Sequence, residues 1–132
     1  MEYRDIIYSV EGRIATITLN RPETLNAFTP TMLDEWVDAI ELAKKDSQVR
    51  VLIVTGAGRG FCSGMDVRGA AGEGETPPVY LRRNYMRLGV HKVPRALENF
   101  DKPYIASING PAAGAGMDMA SMADIRIMSD KA

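Results

Sequence analysis

The stretch "INGPAAGAGMDMASMADIRI", Ile108 to Ile127, decides how this chain is read. It passes from an apolar, strand-like segment into small residues. It then sets one carboxylate, Asp118, among apolar neighbours. Ordinary core packing does not ask for Gly-Ala-Gly and a lone Asp where a helix begins. The spacing predicts a helix around Ala115 to Met122, and "DIRIMSD" begins one more strand. A second stretch, "GRGFCSGMD" from Gly58 to Asp66, has the same order: the end of a strand, small residues, then Met-Asp.

The segments around these two stretches read as an α/β chain. "KPYIASING" and "VRVLIVTG" are short apolar strands. The second is nearly continuous and β-branched, so burial on both faces of a parallel sheet is expected. "VYLRRNYMRLGVHKVPRALENF" reads as helix with a break near Pro94. Ahead of it, "RGAAGEGETPP" offers little apolar surface, and segment 71–78 is expected to be the least ordered internal part. "IIYSVEGRIATITLN" reads as two strands around a Glu11-Gly12 turn, with Ala15, Ile17 and Leu19 alternating against Ile14, Thr16 and Thr18. Thr29 and Pro30 suit the cap and first position of a helix reaching about Lys45. Leu33, Trp36, Val37, Ile40 and Ala43 share its apolar face. The order hairpin, helix, strand, helix, strand, helix, strand is an α/β layout.

The totals bound the function. A net charge of -1 leaves no electrostatic footprint for nucleic acid or an anionic membrane. The single cysteine, Cys62, excludes an intramolecular disulfide and fits a reducing compartment. No apolar run is long enough to span a bilayer, and the N-terminus lacks a signal-peptide core. A cytoplasmic protein is expected, or an organellar one after processing. Metal binding has no support, because no ligands stand at metal-site spacing.

Small residues after strands let a ligand approach the backbone, and free N–H groups at such turns receive anions. Two turns side by side could aim two N–H groups at one oxygen, as an oxyanion hole does. Simpler readings compete, since glycine-rich turns are common in α/β proteins. "GAGRGF" from Gly56 approaches a dinucleotide fingerprint but carries Phe61 where the last glycine belongs. No Gly-Lys-Ser/Thr follows for a phosphate loop.

"LNRPETLNAFTPTML", "VLIVTGAGRGFCSGMD" and "KPYIASINGPAAGAGMDMASMADIRI" together resemble the enoyl-CoA hydratase/isomerase, or crotonase, superfamily. The resemblance implies a ββα spiral, trimers or hexamers, and an acyl-CoA thioester as substrate. It implies no cofactor beyond the coenzyme A carried by that substrate. Two backbone amides would hold the thioester oxygen; they fall on Met65 and Ala115. Many members have glycine at the second position, and alanine keeps the N–H. Ala27, Ser63, Gly64, Asp66, Val67 and Gly114 would line the substrate and coenzyme A site. Arg21 and Arg68 are weaker candidates for the coenzyme A phosphates. Asp118 falls where hydratases of the family carry a catalytic glutamate and some dienoyl-CoA isomerases an aspartate. An apolar surround disfavours the charged form of a carboxylate, which suits acid–base work. Helix capping is the structural alternative for Asp118. His91 is expected to be exposed or in the core, although some members of the superfamily use a residue of this region in the acyl pocket; Cys62 is expected to pack as a small apolar residue and Asp124 to be structural.

Domains of the superfamily are longer than 132 residues. The resemblance therefore implies that residues 1–132 are the N-terminal part of such a domain. The second catalytic carboxylate and much of the acyl pocket would lie in the absent C-terminal part. A fragment, a split enzyme or a chain needing a complementary partner is expected, inactive and weakly stable alone. The alternatives are a non-catalytic acyl-CoA-binding module and a crotonase-like acyl-CoA hydrolase.

Overall fold

A computed structural model describes residues 2–66 and 79–132; Val67, Arg68 and the segment 71–78 lie outside the described residues. Five strands form one sheet: β1 (Ile6–Glu11), β2 (Ile14–Leu19), β3 (Val51–Gly56), β4 (Tyr104–Ile108) and β5 (Ile125–Met128), in spatial order β1-β2-β3-β4-β5. β1 and β2 pair antiparallel across a tight turn in which Gly12 takes φ 59. The other three pairings are parallel, so each needs a crossover. The first is α1 (Pro30–Lys45). The second carries α2 (Val79–Tyr85), a π-turn over Met86–Val90 and α3 (Lys92–Glu98). The third carries α4 (Ala115–Ser121).

Short extended segments lie between the parallel strands and their helices. They bridge each other in parallel, Phe28 to Met65 and Cys62 to Ala112. A turn of the chain thus reads strand, short strand, helix, which is the ββα spiral expected from the sequence. The two glycine turns sit on those bridging segments, stacked on one another.

Local chemistry explains α1. Thr29 Oγ1 accepts from Met32 N at 3.0 Å, Pro30 occupies the first helical position, and Lys102 Nζ donates to the Ala43 and Asp46 carbonyls at 2.7 Å. The last contact places a cation at the negative end of the helix. Its buried face comprises Met32, Leu33, Trp36, Ala39, Ile40 and Ala43, with Val37 half-buried beside it.

Two expectations need correction. The break in the long helix comes at His91, three residues before Pro94, where His91 N bonds to Met86 O at 2.9 Å. Helix α3 restarts at Lys92, so Pro94 sits in a first turn that needs no donor from it. β3 is also not buried on both faces. Leu52, Val54 and Gly56 are buried, whereas Val51, Ile53 and Thr55 are half-exposed. The described helices cover one face of the sheet only. On the other face Ile14, Ile125 and Ile127 are 44%, 52% and 60% exposed. Among the described residues no helix is long and apolar enough to cross a membrane.

Candidate active site

The site is built from three segments that hold each other through backbone groups. Asn26 is fully buried with a left-handed φ of 56, which asparagine tolerates. Its Nδ2 donates to the Ala57 and Gly60 carbonyls, both at 2.9 Å, and its Oδ1 accepts from Arg21 N at 2.9 Å. The segment that follows pairs with the first glycine turn. Phe28 N donates to Gly64 O at 2.9 Å, and Asp66 N donates to Phe28 O at 3.2 Å. The first turn is in turn stitched to the second. Phe61 N donates to Pro111 O at 3.0 Å and Ala113 N to Cys62 O at 3.0 Å.

Glycine is required where these backbones meet. Gly64 has φ 92, and a Cβ there would lie 3.0 Å from Ala113 O and 3.4 Å from Ala115 N. A Cβ on Gly116 would come within 2.3 Å of Cys62 O. The small residues of "GPAAGAGMD" thus let α4 start directly against the first turn.

This stacking leaves two amides, one on each turn, without partners. The Phe28–Met65 bridge turns the Met65 N–H away from Phe28, and Ala115 N–H opens α4. Neither N–H has an acceptor among the described residues. A Cβ added to Gly64 would lie 3.4 Å from Ala115 N, so the second turn passes close to the residue that precedes Met65.

A cavity of about 430 Å³ adjoins α4. Ala115, Asp118, Met119 and Met122 line one wall, at the spacing of a single helix face. Met86, Val90, His91, Pro94, Arg95 and Glu98 line the opposite wall. Three methionines with valine and proline make the lining largely apolar, and Asp118, Arg95 and Glu98 bring three charged side chains to it.

The residues singled out in sequence fare differently. Asp118 reaches the cavity, but it is solvent-exposed and not enclosed by apolar groups. Of the apolar neighbours in its sequence, Met119 and Ala120 are buried, whereas Met117, at 37%, is exposed like Asp118 itself. Arg21 is drawn inward. Its Nη1 donates to Ala27 O at 2.5 Å, and Nη1 and Nη2 both lie 3.1 Å from Asp66 Oδ2. Ala27 and Asp66 therefore face Arg21 as much as any ligand. Ser63 is exposed with Oγ donating to Thr24 O at 3.0 Å, and Gly114 is exposed at the start of α4 with φ 52. Val67 and Arg68 fall outside the described residues. Cys62 is buried, Sγ donating to Asn26 O at 3.2 Å, and burial pushes its thiol up to about 11. Asp124 is structural: its Oδ2 accepts from Tyr104 N at 2.8 Å.

Sequence reasoning missed Asn26 and Asn109 altogether and did not single out Glu98. The recurrence of Asn in "LNRPETLNA" and "SINGP" is the signal that was available for the two asparagines.

Residues 9–132 match the sequence pattern of the family described as enoyl-CoA hydratase/isomerase. The chain belongs to this family. It is 37% identical over 132 residues to a probable enoyl-CoA hydratase of Rhodobacter capsulatus, covering 100% of this chain and 49% of the relative. It is 36% identical over 131 residues to a trans-2-decenoyl-[acyl-carrier-protein] isomerase of Streptococcus mutans, covering 99% and 49%. Among solved structures, an enoyl-CoA hydratase from Bacillus anthracis superimposes with a TM-score of 0.87 at 28% identity, covering 98% of this chain and 49% of that one. The fold is accordingly crotonase-like and partial. The chain spans about half the length of the curated relatives it matches.

Proposed function

We propose that this chain carries the thioester-binding, enolate-stabilising part of a crotonase-like enzyme that hydrates an unsaturated acyl-CoA or moves its double bond. The observation that carries the reading is the pair of unpartnered amides, Met65 N–H and Ala115 N–H, on stacked turns, the second of which lines a largely apolar cavity. Donors fixed in place before reaction stabilise charge that appears on an oxygen during it. In hydration, water oxygen bonds to the β-carbon, the π pair shifts toward the thioester oxygen, and the α-carbon then takes a proton. In isomerisation a proton leaves one carbon and returns to another through the same enolate. The two amides would hold that oxygen, and Asp118 would orient water or carry the proton. The coenzyme A moiety belongs to the substrate, and no other cofactor enters the reading.

The half-exposed sheet face and the half-length match support a chain that works with more polypeptide. We place it in a homotrimer or hexamer, or with a complementary chain supplying the other half, in the cytoplasm or an organellar matrix. The exposure of Asp118 favours a second reading, an acyl-CoA-binding module without chemistry. The deciding experiment incubates the chain, alone and with the complementary half of a relative, with a 2-enoyl-CoA and a 3,5-dienoyl-CoA. Hydration or isomerisation with the complement supports the enzyme; tight binding without turnover in either case supports the module.

A further inference from the structure

Two asparagines from different turns converge on one carbonyl. Asn26 Nδ2 donates to Gly60 O at 2.9 Å, and Asn109 Nδ2 donates to the same oxygen at 3.3 Å. A carbonyl has two lone pairs, so it can accept both. Asn109 also donates to Gly58 O at 3.0 Å, and its Oδ1 accepts from Gly56 N at 3.0 Å. Asn26 likewise grips Ala57 O. The first glycine turn is thus held between two amide side chains, one rooted before α1 and the other at the end of β4.

We infer that Asn26 and Asn109 are positioning residues that together set the spacing of the Met65 and Ala115 amides, an inference that rests on the thioester reading above for its chemical purpose. Asn26 belongs to the segment that bridges to Met65 through Phe28. Asn109 begins the turn that ends at Ala115. Gly60 O is the point at which those two segments are tied by side chains. Backbone bonds from Phe61 and Ala113 join the turns further on. The shared carbonyl fixes the start of both turns against each other. Neither asparagine touches the cavity lining, so both act through backbone placement.

The test uses the intact chain and two readouts. The first is the amide resonances of Met65 and Ala115 without ligand. The second is acetoacetyl-CoA, scored for affinity and, separately, for the fraction bound as enolate by near-ultraviolet absorbance. Asn109→Asp keeps the acceptor toward Gly56 N and turns an oxygen against Gly58 O and Gly60 O. Asn109→Ala removes the donors without adding charge and is read in its place if the aspartate variant does not fold. Asn99→Ala, which removes an exposed bond to Arg95 O, is the control. Both amide resonances should move in the Asn109 variants and not in the control. The enolate fraction should fall about tenfold while affinity changes far less, because misplaced donors lose most of what aligned ones supply. A merely structural asparagine would lower affinity and enolate together. Unmoved Met65 and Ala115 resonances, with Gly58 and Gly60 displaced, overturn the inference. So does an unchanged enolate fraction. If the unsubstituted chain forms no enolate, the thioester reading fails, and the resonances alone decide the positioning role.

Discussion

Arg21 and Asp66 stand forty-five positions apart in sequence, yet both Arg21 Nη atoms lie 3.1 Å from Asp66 Oδ2. The pair is only 18% and 14% exposed at its side chains, and Nη1 also holds Ala27 O. It closes the bridge between Phe28 and Met65 from outside. Removing one member leaves a largely desolvated charge on the other. Asp66→Asn should cost about 2 kcal/mol, below the 3–5 kcal/mol of a fully buried pair. Arg21→Lys should cost about 1 kcal/mol, because one ammonium cannot reproduce the planar fork. Urea melts of both and of the double variant should show a coupling of about 1 kcal/mol, and strict additivity would remove the pair from this role.

Much of this architecture was written locally. Thr29 and Pro30 mark the start of α1 because a cap and a first-turn proline are chosen by the adjacent backbone. Ala15, Ile17 and Leu19 mark the inner face of β2 because the strand period is two. What the sequence hid depends on partners far along the chain. Asn26 bonds to Gly60 O across 34 positions, and Arg21 to Asp66 across 45. Backbone carbonyls leave no mark on residue type. The exposure of Asp118 was hidden for a similar reason. Apolar neighbours in sequence alternate around a helix, so they say little about what a side chain faces until the helix is docked.

The glycines of the second turn should differ sharply when substituted. Gly116→Ala puts a Cβ 2.3 Å from Cys62 O, against backbone that cannot yield. A loss of about 3 kcal/mol is expected, at the upper end for overpacking. At Gly114 a Cβ meets nothing within 4 Å, and only the φ of 52 resists it. Gly114→Ala should cost about 1–2 kcal/mol, the range of backbone strain alone. Thermal or urea melts that rank the two in reverse would contradict the stacked geometry of the turns.

Cys62 gives a pH signature. Burial raises its thiol from 9.0 to about 11. Below about pH 9 folded and unfolded chains both hold the proton, so no difference arises. Between 9 and 11 the unfolded chain releases it while the folded chain keeps it. Fewer protons on the unfolded state make stability fall as pH rises. Two pH units correspond to about 2.7 kcal/mol once both states are fully titrated. Cys62→Ala should therefore flatten the alkaline loss measured by urea midpoints between pH 8 and pH 10.5. Tyrosine contributions are common to both proteins and cancel in the comparison. An identical decline in the two would mean that the thiol titrates alike folded and unfolded.

Asp118 is the sharpest test of the chemistry. It lies three positions after Ala115, on the same face of α4, and both residues line one cavity. That spacing suits a group that handles a proton next to an oxygen held by the amide. Asp118 is exposed, and under the proposed function its surround is completed by other polypeptide. In the complemented protein, Asp118→Asn should lower kcat about 100-fold or more on its substrate, in the range general acid–base groups contribute. KM should change little, because ground-state binding of the thioester rests on backbone amides that the substitution leaves in place. Assays on 2-enoyl-CoA and 3,5-dienoyl-CoA then show which reaction the carboxylate serves. Unchanged kcat on both would take Asp118 out of the mechanism and assign the proton transfers to another group. A raised KM at constant kcat would make Asp118 a binding residue and favour the module without chemistry.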